Sequence, residues 1–188
     1  MVLTITALAS LAACGSADEA APTAVQGATE AEPPVGAGAS GCAASGEEAR
    51  RPLEGFGEVG FRVDGRDGSA FVGCALLADE PEARAQGLMG QRDLRGYDAM
   101  AFRFDEPSTG GFYMFRTVLP LSIAYIAEDG TLVSSADMDP CSATEASDCP
   151  TSEPAGPYLH AIEVAQGDLP ELGIVPGSVV TFEDRQAP

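Results

Sequence analysis

The sequence predicts an α+β domain in which about eight short strands form a mainly antiparallel, barrel-like sheet with one main helix. Two observations lead to this fold class. From residue 58 onward, the apolar residues occur in short runs between glycine- and proline-rich turns, a pattern typical of strands. One segment, residues 80–89, carries the start and stop signals of a helix, and no alternation of strands with helices follows it.

The strands are predicted from alternating apolar residues and from the turns between them. The first contains Val59, Phe61 and Val63 and precedes the turn DGRDG at 64–68. The second is the apolar run at 70–78. A hairpin is expected at Asp129-Gly130, because this dipeptide suits a tight turn between strands. The remaining expected elements are strands at 101–104, 112–115, 121–127, 131–135, 159–164 and 178–182 and a helical turn at 168–173.

The predicted helix covers residues 80–89, with the sequence EPEARAQGLM. Pro81 suits the first helical position, and Glu80 and Glu82 place negative charge where the helix dipole favours it. Gly87 or Gly90 can end the helix, because glycine readily adopts the left-handed backbone found just after helices.

Two segments of different composition precede this domain, which we expect at residues 58–185. Residues 1–13 include an uncharged, apolar run of 12 residues, too short to span a membrane and typical of a secretory signal peptide. The small residues before Cys14 resemble a bacterial lipobox, in which the cysteine is acylated. Residues 14–57 are rich in Ala, Gly, Pro and acidic residues without hydrophobic periodicity, so we expect a disordered tether.

These segments predict an extracytoplasmic protein that is anchored to the bacterial cell membrane as a lipoprotein. A secreted protein with an incidental Cys14 is the alternative. The charge balance limits the partners further: 10 basic residues, all arginine, stand against 29 acidic residues, for a formal net charge of −19. Nucleic-acid binders need cationic groups that displace counterions from phosphates, so we exclude nucleic acid as a partner.

Three motifs of the folded part together resemble the DUF192 family, a domain of unknown function. Residues 81–89, PEARAQGLM, are similar to the family's P-E-x-R-x-x-G-L-M helix. Residues 112–126, FYMFRTVLPLSIAYI, resemble F-W-M-x-N-T-x-x-P-L-D-x-x-F-I. The third motif comprises DPC at 139–141, CPT at 149–151, Ile162-Glu163-Val164, Gly173-Ile174 and Gly177. The resemblance covers roughly residues 74–183 and implies a compact β-rich fold with no established reaction.

The candidate ligand-binding residues are Tyr113, Arg116 and Ser122, which stand where the family pattern has Trp, Asn and Asp. Arg116 is the only charged residue of the central motif, and a guanidinium among aromatic rings can hold a carboxylate or phosphate in a bidentate manner. An ion pair between Arg116 and an acid such as Asp105 or Glu106 is the alternative. No catalytic residue is predicted.

Five cysteines are present, and acylation of Cys14 would leave an even number, typical of an oxidising compartment. Cys141 and Cys149 are separated by seven residues, a wider spacing than zinc sites prefer, so we expect a disulfide between them. Pairing of Cys42 with Cys74 stays open, because Cys42 lies in the predicted tether and Cys74 in a predicted strand.

Taken together, these features favour a lipid-anchored binding or interaction module without a cofactor. Its expected partners are the membrane and an envelope protein or small ligand. One alternative is a copper-handling protein that uses Cys141, Cys149, Met138 and His160, all side chains that suit soft metals. A second is an envelope hydrolase that uses paired carboxylates, although no spacing singles out a pair.

Overall fold

The structure is a computed structural model that describes Cys42 and residues 50–183. The predicted signal peptide, Cys14 and most of the predicted tether lie outside the described residues. The described elements, in chain order, are β1 (Gly57–Asp64), β2 (Ala70–Ala78), α1 (Pro81–Gln86), β3 (Ala99–Ser108), β4 (Phe112–Tyr113), β5 (Leu121–Ile126), β6 (Leu132–Met138), a 3₁₀ turn (Ala146–Asp148), β7 (Thr151–Ser152), β8 (Tyr158–Ala165) and β9 (Val179–Phe182).

Seven of these strands form one sheet in the order β6-β5-β8-β3-β2-β1-β9, and β4 pairs with β7. All neighbouring strands are antiparallel except β2 and β3. The prediction of a mainly antiparallel β-rich fold with one helix is therefore confirmed for the described residues. The expected barrel is not closed, because the sheet curls but remains open. The turn before β6 contacts β9, where Thr131 forms an isolated bridge with Val179 and the Val180 N–H donates to the Gly130 carbonyl (2.8 Å).

The parallel pair of β2 and β3 corrects the expectation that strands and helices do not alternate. Parallel neighbours need a crossover of a dozen or more residues, since the chain must return to the same end of the sheet. Helix α1 and the turns that follow it, residues 79–98, form this crossover. The sheet is therefore mixed.

Two predicted elements are shorter than expected. Helix α1 starts at Pro81 and is followed directly by Gly87, whose φ of 49° suits glycine and whose N–H donates to the Ala83 carbonyl (2.9 Å). Strand β4 contains two residues rather than four, and Phe115 instead forms an isolated parallel bridge with Cys141 just before the chain turns at Arg116, where φ is 55°.

The two faces of the main sheet carry different side chains. The aliphatic face is the cluster that includes Val63, Leu77, Ile162 and Val164. The aromatic face is the cluster of rings, methionines and leucines that includes Leu88, Met100, Phe102, Tyr125, Met138 and Tyr158. Because side chains alternate along a strand, β8 sends Ile162 and Val164 to the aliphatic face and Glu163 to the aromatic face.

Two disulfides are formed among the described residues. The predicted Cys141–Cys149 bond is confirmed, with the two Cα atoms 5.8 Å apart. Cys42 and Cys74, whose pairing the sequence left open, are also bonded, with the Cα atoms 4.4 Å apart. The second bond joins the predicted tether to β2.

The chain just before β1 is also packed on the domain. The Arg51 N–H donates to the Arg95 carbonyl (2.8 Å), and Leu53 and Phe56 pack against the aromatic face. In the part of the chain that the structure describes, no helix has the length and apolar character needed to cross a membrane.

Candidate functional site

The aromatic face contains a cavity of about 270 Å³. Residues 84–89, at the end of α1 and just after it, form one side. The other sides come from β3, β4 and β8, whose contributions are mostly aromatic: Phe102, Phe104, Phe112, Tyr113 and Tyr158. Among the described residues that line the cavity, Glu163 of β8 is the only one with a carboxyl group.

The rings around this cavity hold one another in place. Phe102 and Phe112 are packed edge to face with ring centres 4.8 Å apart, and Phe104 and Tyr158 in the same way at 5.4 Å. The Tyr158 hydroxyl donates to the Gly110 carbonyl (2.7 Å). The walls are thus fixed by ring packing and by a hydrogen bond to the loop before β4.

A glycine allows β4 to approach its partner strand beside the cavity. A Cβ atom on Gly111 would lie 2.5 Å from Cγ2 of Thr151 and 2.7 Å from the Ser152 carbonyl oxygen, both on β7. Any larger residue would push the two strands apart. Gly111 therefore positions Phe112 and Tyr113 at the cavity wall.

Arg84, the one arginine among the described lining residues, forms hydrogen bonds within the protein. Arg84 Nη1 donates to the carbonyl oxygens of Asp79 and Arg103, the latter at 3.0 Å. Its guanidinium carbon lies 5.2 Å from the centre of the Phe104 ring, a cation–π distance. Arg84 therefore links α1 to β3 through hydrogen bonds, and its guanidinium stacks on the Phe104 ring.

Glu163 is buried beneath these rings, with 5% of its surface exposed. Its strand neighbours are Met100 on β3 and Ile123 on β5, both apolar. Burial raises the pKa of the Glu163 carboxyl from its usual value to about 8, so at neutral pH it is mostly protonated. Among the described residues, no side-chain hydrogen bond or ion pair reaches this carboxyl.

Of the three predicted ligand-binding residues, Tyr113 lines the cavity and is 42% exposed. Arg116 and Ser122 are not among the cavity's lining residues. Arg116 is exposed, and its guanidinium carbon lies 4.8 Å from the centre of the adjacent Phe115 ring. Within the described chain it forms no ion pair with Asp105 or Glu106.

The backbone at Arg116 suggests why the family pattern has Asn there. Its φ of 55° is the left-handed conformation, which Asn adopts more readily than most residues. Ser122, where the pattern has Asp, is 1% exposed and joins three segments. Its hydroxyl donates to Asp137 on β6 and accepts a hydrogen bond from the Gly167 N–H (2.9 Å). In this structure both positions have clear roles in the fold.

The residues of the copper alternative do not all share one place, because His160 is separated from the other three. Cys141 and Cys149 are bonded to each other, and Met138 belongs to the aromatic face. His160 lies on the opposite face of β8, where its ring stacks on Phe182 with centres 4.6 Å apart. Burial, with a smaller contribution from Arg103, lowers the pKa of His160 to about 4.

The sequence prediction missed Glu163 and four of the five wall rings as site residues. A signal was present, because an acid interrupts the apolar strand Ala161-Ile162-Glu163-Val164. Alternation alone does not say whether that acid faces solvent or the interior, since either face of an open sheet can be solvated.

Comparisons with known proteins identify a family and similar crystal structures. The sequence profile of the DUF192 family, described as "Uncharacterized ACR", matches residues 64–182. A search among curated proteins found no match.

Two crystal structures are similar. A Sinorhizobium meliloti 1021 protein, described provisionally as a transcription regulator, is 26% identical with a TM-score of 0.59, and the match covers 68% of this chain and 95% of that one. A Novosphingobium aromaticivorans DSM 12444 protein of unknown function is 31% identical with a TM-score of 0.58, covering 71% and 91%. The family profile spans most of the chain, and these structures share its fold. The chain therefore belongs to the DUF192 family.

Proposed function

We propose that the protein is an extracytoplasmic binding module, tethered to the bacterial membrane through a lipid on Cys14, and that a small ligand occupies the cavity of the aromatic face. Two disulfides are compatible with an oxidising compartment outside the cytoplasm. The lipobox-like sequence before Cys14 supports the tether.

One observation carries the binding role: an aromatic cavity contains a buried carboxyl group that has no protein partner. Protein interiors are normally close-packed, and burying a polar group without a hydrogen bond costs stability. A small concave site with mostly apolar walls and one polar group is also the usual form of a ligand pocket. A ligand in the cavity would supply the hydrogen-bond or charge partner that the described protein groups do not give Glu163.

The hydrolase alternative is less well supported. Glycoside hydrolysis with carboxylates uses a pair roughly 5–9.5 Å apart on either side of the bond that breaks. Among the described residues that line this cavity, Glu163 is the only acid.

A fragment screen by NMR tests the binding role. The chain from Cys14 to Pro188 carrying Cys14→Ser would be titrated with small aromatic and aliphatic amines, carboxylic acids, alcohols and amides. We expect a subset to shift the amide signals of Gly87, Gly111 and Glu163. No shift at the cavity by any fragment would overturn the proposal.

A blocking variant localises the binding. Ala85 is exposed and lines the cavity, so Ala85→Trp should obstruct it without disturbing the core. Glu82→Trp, on an exposed position of α1 outside the cavity lining, is the matched control. We expect Ala85→Trp to abolish fragment binding and Glu82→Trp to preserve it. Equal binding by both variants would contradict the assigned site.

The tether has a separate test. In bacteria that express the full chain, we expect the protein in the membrane fraction, with a diacylglycerol mass on Cys14. The variant Cys14→Ser should move to the soluble fraction. An unmodified Cys14 in a soluble exported protein would support secretion instead and overturn the anchor.

A further inference from the structure

We infer that the ligand of this cavity is an organic cation, a small amine or ammonium group held by the Glu163 carboxylate among the aromatic rings. The inference rests on the proposed function and deepens it by naming the class of ligand. Three features of the site support it: the Glu163 carboxyl without a hydrogen bond in the described structure, the aromatic walls and the negative net charge of the chain.

The first feature is that no described protein group forms a hydrogen bond with the buried Glu163 carboxyl. Nη1 of Arg84 donates to two carbonyl oxygens, and the Tyr158 hydroxyl donates to the Gly110 carbonyl. The Thr117 hydroxyl donates to the Phe115 carbonyl (3.4 Å), and Oγ of Ser108 accepts from the Gly110 N–H (3.1 Å). Of these groups, the Glu163 carboxyl alone has no hydrogen bond within the described structure. Once ionised, a carboxylate only accepts hydrogen bonds, so it pairs with a donor or a positive charge.

The second feature is the aromatic wall. Ring faces carry partial negative charge and attract cations within about 6 Å of the ring centre. The structure already contains one such contact at this wall, where the Arg84 guanidinium carbon lies 5.2 Å from the Phe104 ring centre. Phe102, Phe112 and Tyr158 surround the rest of the space. The wall is therefore suited to an ammonium group with a short alkyl or aromatic body.

The third feature is charge. An anionic ligand would approach a chain of net charge −19. A cation is instead concentrated near such a protein by its long-range field. The net charge of the chain therefore favours a cation.

The affinities for a cationic ligand and for a neutral ligand should depend on pH in opposite ways. A positive charge beside a carboxyl lowers its pKa, so binding of an ammonium group to the mostly protonated Glu163 releases a proton. The affinity for a cation should therefore rise about tenfold per pH unit below pH 8 and level off above it. A neutral ligand that accepts a hydrogen bond from the protonated acid should show the opposite trend, with affinity falling above pH 8.

Isothermal titration calorimetry with matched probes tests the inference. The Cys14→Ser chain would be titrated with benzylammonium and with benzyl alcohol, which has the same ring without the charge. We expect benzylammonium to bind about tenfold more tightly at pH 7 than at pH 6. Heats in two buffers of different ionisation enthalpy should show release of about one proton per ligand. Tetramethylammonium provides a cation that cannot itself titrate.

Two variants separate the carboxyl from general charge. Glu163→Gln should weaken benzylammonium binding at least about tenfold at pH 8 and remove its pH dependence, while benzyl alcohol still binds and reports an intact cavity. Glu106→Gln, an exposed acid on β3 outside the cavity lining, should leave both affinities unchanged.

The outcomes distinguish this inference from the proposed function. Tighter binding of benzyl alcohol than of benzylammonium, or affinity for benzylammonium that does not rise with pH, would overturn the cation assignment and leave the binding role in place. Failure of both probes together with every fragment of the NMR screen would overturn the binding role and the inference with it.

Discussion

The two faces of the main sheet are formed by the same strands but differ in their side chains and in how closely these pack. The aliphatic face is a core of Val, Leu, Ile and Ala side chains around Phe61. The aromatic face contains a cavity, a ring of aromatic side chains and a buried acid. Strand β8 shows the contrast most directly, since Ile162 and Val164 pack on one side and Glu163 lies on the other.

This difference indicates that the aliphatic face mainly stabilises the fold, whereas the aromatic face contains features that stability alone does not explain. Packing aliphatic side chains is what the hydrophobic effect favours, and it needs no further explanation. A cavity and an unpaired acid both lower stability, so their presence on one face indicates a constraint other than folding. The following experiments test this contrast, in order of expected effect.

Truncation of one ring on each face should give unequal losses. Phe61 is 1% exposed between Phe71 and Phe182, so Phe61→Ala should lower the free energy of unfolding by about 3–5 kcal/mol. Phe112 is only partly buried and borders an existing cavity, so Phe112→Ala should cost about 2 kcal/mol. Urea denaturation measures both. Equal losses would contradict the view that the aromatic face is the less tightly packed.

The buried acid should make stability depend on pH. The unfolded carboxyl has a pKa of 4.5 and the folded one about 8, so its stabilising contribution is complete below pH 4.5 and is lost as pH rises to 8. The expected loss is on the order of 4 kcal/mol. Urea denaturation at several pH values should show this loss relative to Glu163→Gln, which cannot ionise. Parallel pH profiles for the two proteins would show that Glu163 is not buried in its protonated form.

Both disulfides lie at the aromatic face, and removing each should lower the free energy of unfolding by a different amount. Cys74 belongs to that cluster and Cys141 packs against it. The Cys42–Cys74 bond closes a separation of 32 residues, so replacing both cysteines by Ala should cost about 3.5 kcal/mol. The Cys141–Cys149 bond closes 8 residues, and its removal should cost about 2.5 kcal/mol. Thermal and urea unfolding of the two double variants measure the difference, and the reverse order would contradict this account.

The smallest effect is expected at Arg116, in the turn after β4. Its left-handed backbone is unfavourable for Arg, so Arg116→Asn should raise the free energy of unfolding by about 0.5–1 kcal/mol. Arg95 has a similar φ of 58°, but its side chain donates to the carbonyls of Arg51 and Pro52. As the matched control, Arg95→Asn should therefore lower stability. A loss of stability in both variants would show that the Arg116 side chain contributes more than its contact with Phe115.

Local features of the sequence predicted much of the fold. Pro81 and Gly87 mark the two ends of α1, and Asp129-Gly130 gives the hairpin between β5 and β6. The short loop between Cys141 and Cys149 also predicted their disulfide. Each of these depends on residues that are close in the chain, so the sequence carries the information directly. The family motifs extended this to the whole domain, as the profile match confirms.

The candidate site was predicted only in part, because its residues come together from distant segments. Tyr113 was predicted as a ligand-binding residue and lines the cavity, whereas the burial of Glu163 follows from the placement of β8 between β3 and β5. Neither the parallel pairing of β2 with β3 nor the covering of β8 by the rings of β3 and β4 can be derived from alternation along one strand.

The sequence by itself therefore determined the strands, the helix ends, the hairpin and the shorter disulfide, because periodicity, turn propensity and loop length act between near neighbours. The tertiary structure decided the strand order, the Cys42–Cys74 bond and the cavity with its acid. Those features depend on which segments, distant in the sequence, pack against each other and exclude water. On a solvent-exposed face of the sheet, Glu163 would be an ordinary ionised acid. Beneath the rings, burial keeps it mostly protonated at neutral pH.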